Sequence, residues 1–313
     1  MLILVTGAAG YLGSAVSLAL LKAGHQVTGV GHHHPQFARL FDASYQSIKT
    51  DVRDIQAWRE AFCESDAVVH LAATGQAACE VDDLVISQVL ERSTTSSRLK
   101  CFIYTSGTMP FGNTGATAIN EDSLFGGGVV PDLIAWRPSH ERRVLSSFQS
   151  GFRAMVVRPG FVYGNGQGIY GLLLDHVDQS GCVRVPGSGE QRWSMVHVDD
   201  VAMLYTLVIA NGEKGVYHGV SEPAVRTADL AKAIVNEVGS PRACWKAWPV
   251  EEARKEIGSL ADGLALDQCI AAPRARSLGW RPQYLSAVAS AREEVQLWKQ
   301  RNLTRWDHMM GIA

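Results

Sequence analysis

The stretch Leu2-Ile3-Leu4-Val5-Thr6-Gly7-Ala8-Ala9-Gly10-Tyr11-Leu12-Gly13 decides the fold. Residues 2–7 read as a buried strand, and a helix is expected from about Tyr11 to Ala23, stopped by Gly24. Three glycines fill the junction. Gly7 permits a tight turn, Gly10 lets backbone N–H groups approach a pyrophosphate, and Gly13 lets the helix pack closely on the strand. A diphosphate placed there sits on the positive end of the helix.

Outward from this turn, β-branched runs alternate with helix-length segments, the pattern of a parallel sheet covered on both faces. Strands are expected over 25–30, 45–49, 67–73, 101–106 and 155–164. Residues 107–131 are glycine-rich and poor in large apolar side chains, so they read as a long, mobile loop beyond a central strand. A second such stretch spans 164–189. A strand-to-helix turn follows in Ser194-Met195-Val196-His197-Val198-Asp199-Asp200, with Asp199 as the expected N-cap. Residues from about 224 to 282 read as mostly helical. The expected architecture is α/β: a doubly wound Rossmann sheet over 1–165 plus about 195–220. A smaller, mostly helical substrate lobe takes 166–194 and 221–313.

The chain has 313 residues, 46% apolar, with a formal net charge of -2. No cluster of Lys and Arg announces nucleic acid or anionic lipid, and no apolar run is long enough for a membrane span. Met1 leads directly into the first strand without a cationic leader, so a cytoplasmic protein is expected. The six cysteines are scattered, without a C-x-x-C pair, and read as reduced, mostly buried thiols. No metal site is expected. The triple histidine His32-His33-His34 does not converge on one ion as i, i+4 helical ligands do.

The tip of the second strand reads Val30-Gly31-His32-His33-His34, with no acid to accept the adenosine 2′-hydroxyl. Without that carboxylate a 2′-phosphate is not repelled, and His32, His33 or Arg39 can donate to it. NADP(H) is therefore expected over NAD(H). Asp51 and Val52 are placed to touch adenine, and Leu71, Ala72 and Ala73 to let the dinucleotide pass close to the backbone. With Gly7, Ala9, Gly10, Tyr11, Leu12 and Gly13 these form the expected cofactor set.

Together with His70-Leu71-Ala72-Ala73, Tyr104-Thr105-Ser106-Gly107, Arg158-Pro159-Gly160-Phe161-Val162-Tyr163-Gly164 and Ala275-Arg276-Ser277-Leu278-Gly279-Trp280-Arg281-Pro282, the chain resembles the extended short-chain dehydrogenase/reductase superfamily, the nucleotide-sugar epimerase and dehydratase relatives. The resemblance spans nearly the whole chain. It implies two lobes with substrate between them, a homodimer, and cofactor contacts from Pro159, Gly160 and Val162. It also implies a Tyr-x-x-x-Lys pair, in which the tyrosine moves the proton and the lysine lowers its pKa and holds the ribose.

The one literal match, Tyr45 to Lys49, lies on the third strand, where alternating side chains exclude the role. In the family a glutamate commonly follows the lysine by four. Counted back from Glu141, Arg137 takes the lysine position and Leu133 the tyrosine position. Leucine cannot transfer a proton; arginine can still clamp ribose or phosphate. Pro138 fits best if the helix starts near it. The chain thus resembles an atypical member of the superfamily.

Ser106 and Thr108 leave the strand beside the expected nicotinamide, where a hydroxyl either polarises a substrate carbonyl or ties the loop. His140 is an acid/base candidate or a surface helical histidine. Tyr163 either packs on the cofactor or transfers a proton. Arg192 matches a position that contacts substrate phosphates, and can equally be a solvated charge. Trp136 and Trp193 suggest an apolar or aromatic small-molecule substrate. The expected function is an NADP(H)-dependent oxidoreductase acting on a carbonyl or alcohol. The alternatives are a redox-silent isomerase, lyase or cyclase, and an NADP(H)-sensing binding protein.

Overall fold

Central strands of a parallel sheet must bury both faces, and the apolar runs of this sequence do so with period two. In the computed structural model Ile3, Val5, Val69, Ile103, Met155 and Val157 share one core. The alternate residues Leu4, Val68, Phe102, Tyr104 and Val156 share another, across the sheet. The structure describes residues 1–33, 44–72, 75–126, 130–147, 151–177, 181–239 and 243–303. His34, Arg39 and Ala73 lie outside them.

The strands of the first half are β1 (Leu2–Thr6), β2 (Gln26–Gly31), β3 (Tyr45–Lys49), β4 (Ala67–His70), β5 (Cys101–Thr105) and β6 (Arg153–Pro159). Then come β7 (Phe161–Gly164), β8 (Cys182–Pro186), β9 (Arg192–His197), β10 (Gly215–Gly219), β11 (Glu222–Arg226) and β12 (Cys244–Trp248). The helices around the large sheet are α1 (Tyr11–Lys22), α2 (Ile55–Glu64), α3 (Ala78–Thr95) and α4 (Arg137–Ser146). They are followed by α5 (Gly168–Asp175), α6 (Val198–Asn211), α7 (Thr227–Val238) and α8 (Val250–Ile257). Three short C-terminal elements complete the series: α9 (Leu260–Leu264), α10 (Pro273–Ser277) and α11 (Ala291–Arg301).

Seven parallel strands run in the order β10-β6-β5-β4-β1-β2-β3. The order reverses between β1 and β4, which opens the crevice where such sheets bind ligands, beyond their carboxyl ends. Three-stranded β11-β9-β7 and two-stranded β12-β8 belong to a second core, built on Tyr170, Trp193, Leu230 and Trp298. Among the described residues no helix is long and apolar enough to cross a membrane.

Several expectations need correction. The run 155–164 is two strands in two sheets. They part at Gly160, where a Cβ would stand 2.3 Å from the Ser194 carbonyl oxygen. The stretch 164–189 is not a loop, for it holds α5 and β8. Residues 107–126 are tied down rather than mobile: Thr114 N–H donates to the Asp267 carbonyl and Ile119 pairs with Ile270. The N-cap of α6 is His197, whose Nδ1 accepts from Asp199 N–H at 3.2 Å. β12 interrupts the mostly helical tail. It brings Cys244 into register with Cys182, Cα atoms 4.4 Å apart, and the two form a disulfide. That overturns the expectation of six reduced thiols. Cys101 and Cys269 are buried thiols, but Cys63 is exposed. Pairing across 62 residues leaves no local signature.

Candidate active site

The glycine turn is built as its spacing requires. Gly7 adopts φ +72°, and a Cβ there would meet Ala72 N at 2.8 Å, so β1 and β4 close against each other at the crevice. A Cβ on Gly13 would stand 2.0 Å from the Gly7 carbonyl oxygen, which shows how closely α1 sits on the turn. Gly10 differs. It is the N-cap of α1, and an added Cβ meets only the Gly7 oxygen at 3.2 Å before reaching open groove.

That groove has a volume of about 340 Å³ and is lined by Gly7, Ala9, Gly10, Tyr11, Leu12, Gly13, Gly31, His32, His33, Val52, Leu71 and Ala72. It shares Tyr11, Leu12, Leu71 and Ala72 with a second cavity of about 420 Å³. Ser106, Thr108, Leu133, Arg137, Pro159, Gly160 and Val162 line the second cavity. The two volumes together make one trough across the carboxyl ends of β1, β4, β5 and β6. Its glycine-floored end is open above Gly10 and meets a helix N-terminus, which fits a dinucleotide diphosphate.

Asp51 is the exception in the expected cofactor set. Its carboxylate turns to Arg53, accepting from Nη2 at 2.6 Å and from the backbone N–H at 2.8 Å, and does not line the groove. Those hydrogen bonds hold its carboxyl well below the ordinary range. Tyr45 lies in the core under β2, away from both cavities, as its strand position requires.

At the other end, Arg137 opens α4 with Pro138 in the first turn, where the missing N–H costs nothing. Arg137 Nη1 donates to the Ser106 carbonyl oxygen. Ser106 is buried, and its Oγ has no hydrogen-bond partner among the described residues. Thr108 is pinned by its backbone: its N–H donates to the Pro159 carbonyl at 3.2 Å, and its own carbonyl accepts from Gln268 Nε2 at 3.0 Å. Leu133 sits in the same wall, so both residues counted back from Glu141 face the cavity.

Two catalytic candidates do not reach it. His140, one turn along α4, is buried toward α3 with Nε2 3.6 Å from Asp83 Oδ1. It is neither in the cavity nor on the surface. Tyr163 alternates away from Val162 into the second core, against Tyr170 and His197 with ring centroids 6.0 and 5.2 Å away. Arg192 is engaged by Asp267, with Nε to Oδ1 at 2.8 Å and Nη2 to Oδ2 at 2.6 Å. Trp193 is wholly buried and Trp136 donates to Asp82, so neither lines the cavity.

The cavity lining includes further residues absent from the expected set: Met109, Pro110, Ile134 and Phe161. Phe161 stood within a string already singled out, and its neighbours were assigned; Met109 and Pro110 carry no local signal. Among the described residues the tyrosine that lines the cavity is Tyr11, whose hydroxyl donates to the Gly164 carbonyl at 3.0 Å. Burial, with Glu294 nearby, pushes that phenol far up, so it holds its proton.

Behind the wall, Arg158 on β6 grips Glu141 of α4, Nη2 to Oε2 2.5 Å, with both side chains almost wholly buried. Arg158 Nη1 also donates to His218 Nε2 at 3.3 Å, while His218 Nδ1 donates to the Ala271 carbonyl at 2.8 Å. Burial, and Arg158 beside it, depress His218 from 6.5 to about 3. The unfolded chain therefore binds more protons between those values. Stability is expected to hold above pH 6.5 and to fall as pH drops toward 3. Urea unfolding across that range checks this, and His218→Gln should flatten the slope.

The chain belongs to the NAD dependent epimerase/dehydratase family, whose model matches residues 3–126 and 140–220. An uncharacterized protein of Saccharomyces cerevisiae is 29% identical over 308 residues, spanning 95% of this chain and all of the yeast protein. The 2-alkyl-3-oxoalkanoate reductase of Stenotrophomonas maltophilia is 25% identical over 322 residues, spanning 90% of this chain and 95% of that enzyme. The crystal structure of human epimerase family protein SDR39U1 with NADPH superposes with a TM-score of 0.72 at 22% identity, covering 95% of this chain and 99% of the human one. That last likeness is one of fold. The family supports an enzyme that uses a nicotinamide cofactor.

Proposed function

We propose that the protein is an NADP(H)-dependent oxidoreductase acting on a carbonyl or alcohol of an apolar small molecule. The observation that carries this reading is Ser106. Its hydroxyl is buried without a hydrogen-bond partner among the described residues, and the residue lines a largely apolar cavity continuous with the dinucleotide groove. The reduced nicotinamide, when bound, supplies hydride to the carbonyl carbon. Ser106 Oγ–H donates a hydrogen bond to the oxygen as it gains charge, and water supplies the proton. The apolar walls exclude bulk water and strengthen that bond. Ser106→Ala is expected to lower turnover on the order of a hundredfold. Assay against a panel of ketones and aldehydes checks this, and a loss below threefold contradicts the role.

The cofactor preference rests on His32 and His33, which line the groove where an acid would accept a 2′-hydroxyl. Calorimetric titration at pH 7 should give tighter binding of NADPH than of NADH, and His32→Asp should reverse the order. Equal affinities in the unaltered protein overturn the preference. Supporting the redox-silent reading is one specific observation, Leu133 in the cavity wall at the position of the usual acid. Its signature is substrate conversion at the same rate with oxidised and reduced cofactor.

A further inference from the structure

We propose that the substrate is an apolar oxo-carboxylate, its carboxylate held by Arg137 and its keto oxygen by Ser106. This inference rests on the oxidoreductase reading and adds the substrate class.

The first ground is charge. Among the described residues Arg137 has one hydrogen-bond partner, the Ser106 carbonyl, and no carboxylate within the 4.0 Å of an ion pair. Asp82, whose charge reaches Arg137, is already occupied. Its Oδ1 meets His70 Nε2 at 3.1 Å, and its Oδ2 accepts from Tyr104 OH at 2.5 Å and Trp136 Nε1 at 3.1 Å. A guanidinium in an apolar wall without a counter-ion favours a ligand that brings one, and its planar fork matches a carboxylate.

The second ground is the Ser106 hydroxyl: Ser106 is 5% exposed and its Oγ has no hydrogen-bond partner among the described residues. Arg137 grips the backbone of that same residue, so the two donors are adjacent. A ligand meeting both must carry its carboxylate and keto oxygen close together, as in a 2-oxo or 3-oxo acid. The third ground is the apolar part of the wall, which stands beside the Tyr11, Thr105 and Thr108 hydroxyls. Leu12, Leu71, Met109, Leu133, Ile134 and Phe161 offer no hydrogen bonds to a sugar, but suit a hydrocarbon tail.

The test uses the full chain saturated with NADP⁺. Octanoate should bind at least tenfold more tightly than methyl octanoate in calorimetric titration. Arg137→Gln should remove that ratio and Arg137→Lys keep part of it. With NADPH, 2-oxooctanoate or 3-oxooctanoate should be reduced at least tenfold faster than its methyl ester. Equal affinities of acid and ester in the unaltered protein overturn the inference, whether or not the variants fold. So does an Arg137→Gln protein that keeps the ratio while losing NADPH affinity, since the guanidinium would then serve the cofactor. If esters and simple ketones oxidise NADPH as fast as the acids, the oxidoreductase reading stands and this inference falls. If octanoate binding depends on Arg137 while neither oxo-acid oxidises NADPH, the anion subsite stands and the oxidoreductase reading falls.

Discussion

Gly10→Asp is expected to abolish dinucleotide binding, with at least a hundredfold loss of NADPH affinity, about 3 kcal/mol, while the protein stays folded. The two effects separate because of where Gly10 lies. It caps the N-terminus of α1 at φ -72°, a conformation any residue adopts, and its Cβ would meet one neighbour at 3.2 Å. Aspartate is among the preferred N-cap residues, and its charge complements the helix dipole. The tight approach to the Gly7 backbone oxygen offsets part of that gain, so the apo fold should lose little stability. The same carboxylate occupies the groove and repels a diphosphate from the backbone donors it needs. Calorimetry beside urea unfolding reads both quantities. A stable variant that still binds NADPH normally would show that the trough is not the dinucleotide site.

The largest stability effect is expected at Glu141→Ala, about 3–5 kcal/mol. The variant strands Arg158, whose guanidinium lies against Phe125 and Phe111, 4.3 and 5.0 Å from the ring centroids, with the neutral His218 as its other polar partner. A buried cation without its carboxylate keeps its desolvation cost and loses its attraction. Because Glu141 belongs to α4, the helix that opens with Arg137, the cavity wall should loosen as well. The double variant Glu141→Leu with Arg158→Met, which removes both charges, should recover most of the loss. A single-variant loss below about 1 kcal/mol, the range of exposed pairs, contradicts this account of the pair.

Much of the fold was legible because its signals are local. A strand, three glycines and a helix follow one another within 22 residues, and each apolar run has its own turn. The count back from Glu141 also placed Leu133 and Arg137 in the cavity wall, and Pro138 correctly marked the start of α4. What the sequence concealed depends on neighbours far along the chain. Residues 155–164 look continuous, and only the Ser194 carbonyl against Gly160 explains the change of sheet. Cys182 meets Cys244 because β12 lies beside β8. Asp51 was assigned to adenine by its strand position, but an arginine two residues on claims the carboxylate. Tyr163 and Phe161 share the strand face that enters the second core, and Phe161, at the start of the strand, also lines the cavity.

Leu133 and Arg137, counted back to the places of the family's tyrosine and lysine, both line the cavity. Among the described residues that line the cavity the one phenol is Tyr11, which burial pushes far up, so on the proposed reading the proton comes from water. On the proposed reading Ser106 would polarise and Arg137 would position, and neither would act on the other as lysine acts on tyrosine.

The central claim is hydride transfer in the cavity beside Ser106. Its most direct measurement follows NADPH deuterated at C4 of the nicotinamide through a single turnover with medium-chain ketones, aldehydes and oxo-acids, reading the product by mass spectrometry. The account predicts one deuterium on the new alcohol carbon of at least one product, formed in step with oxidation of the cofactor and suppressed by Ser106→Ala. A substrate converted without acquiring the label, at a rate unchanged when oxidised cofactor replaces reduced, would contradict it.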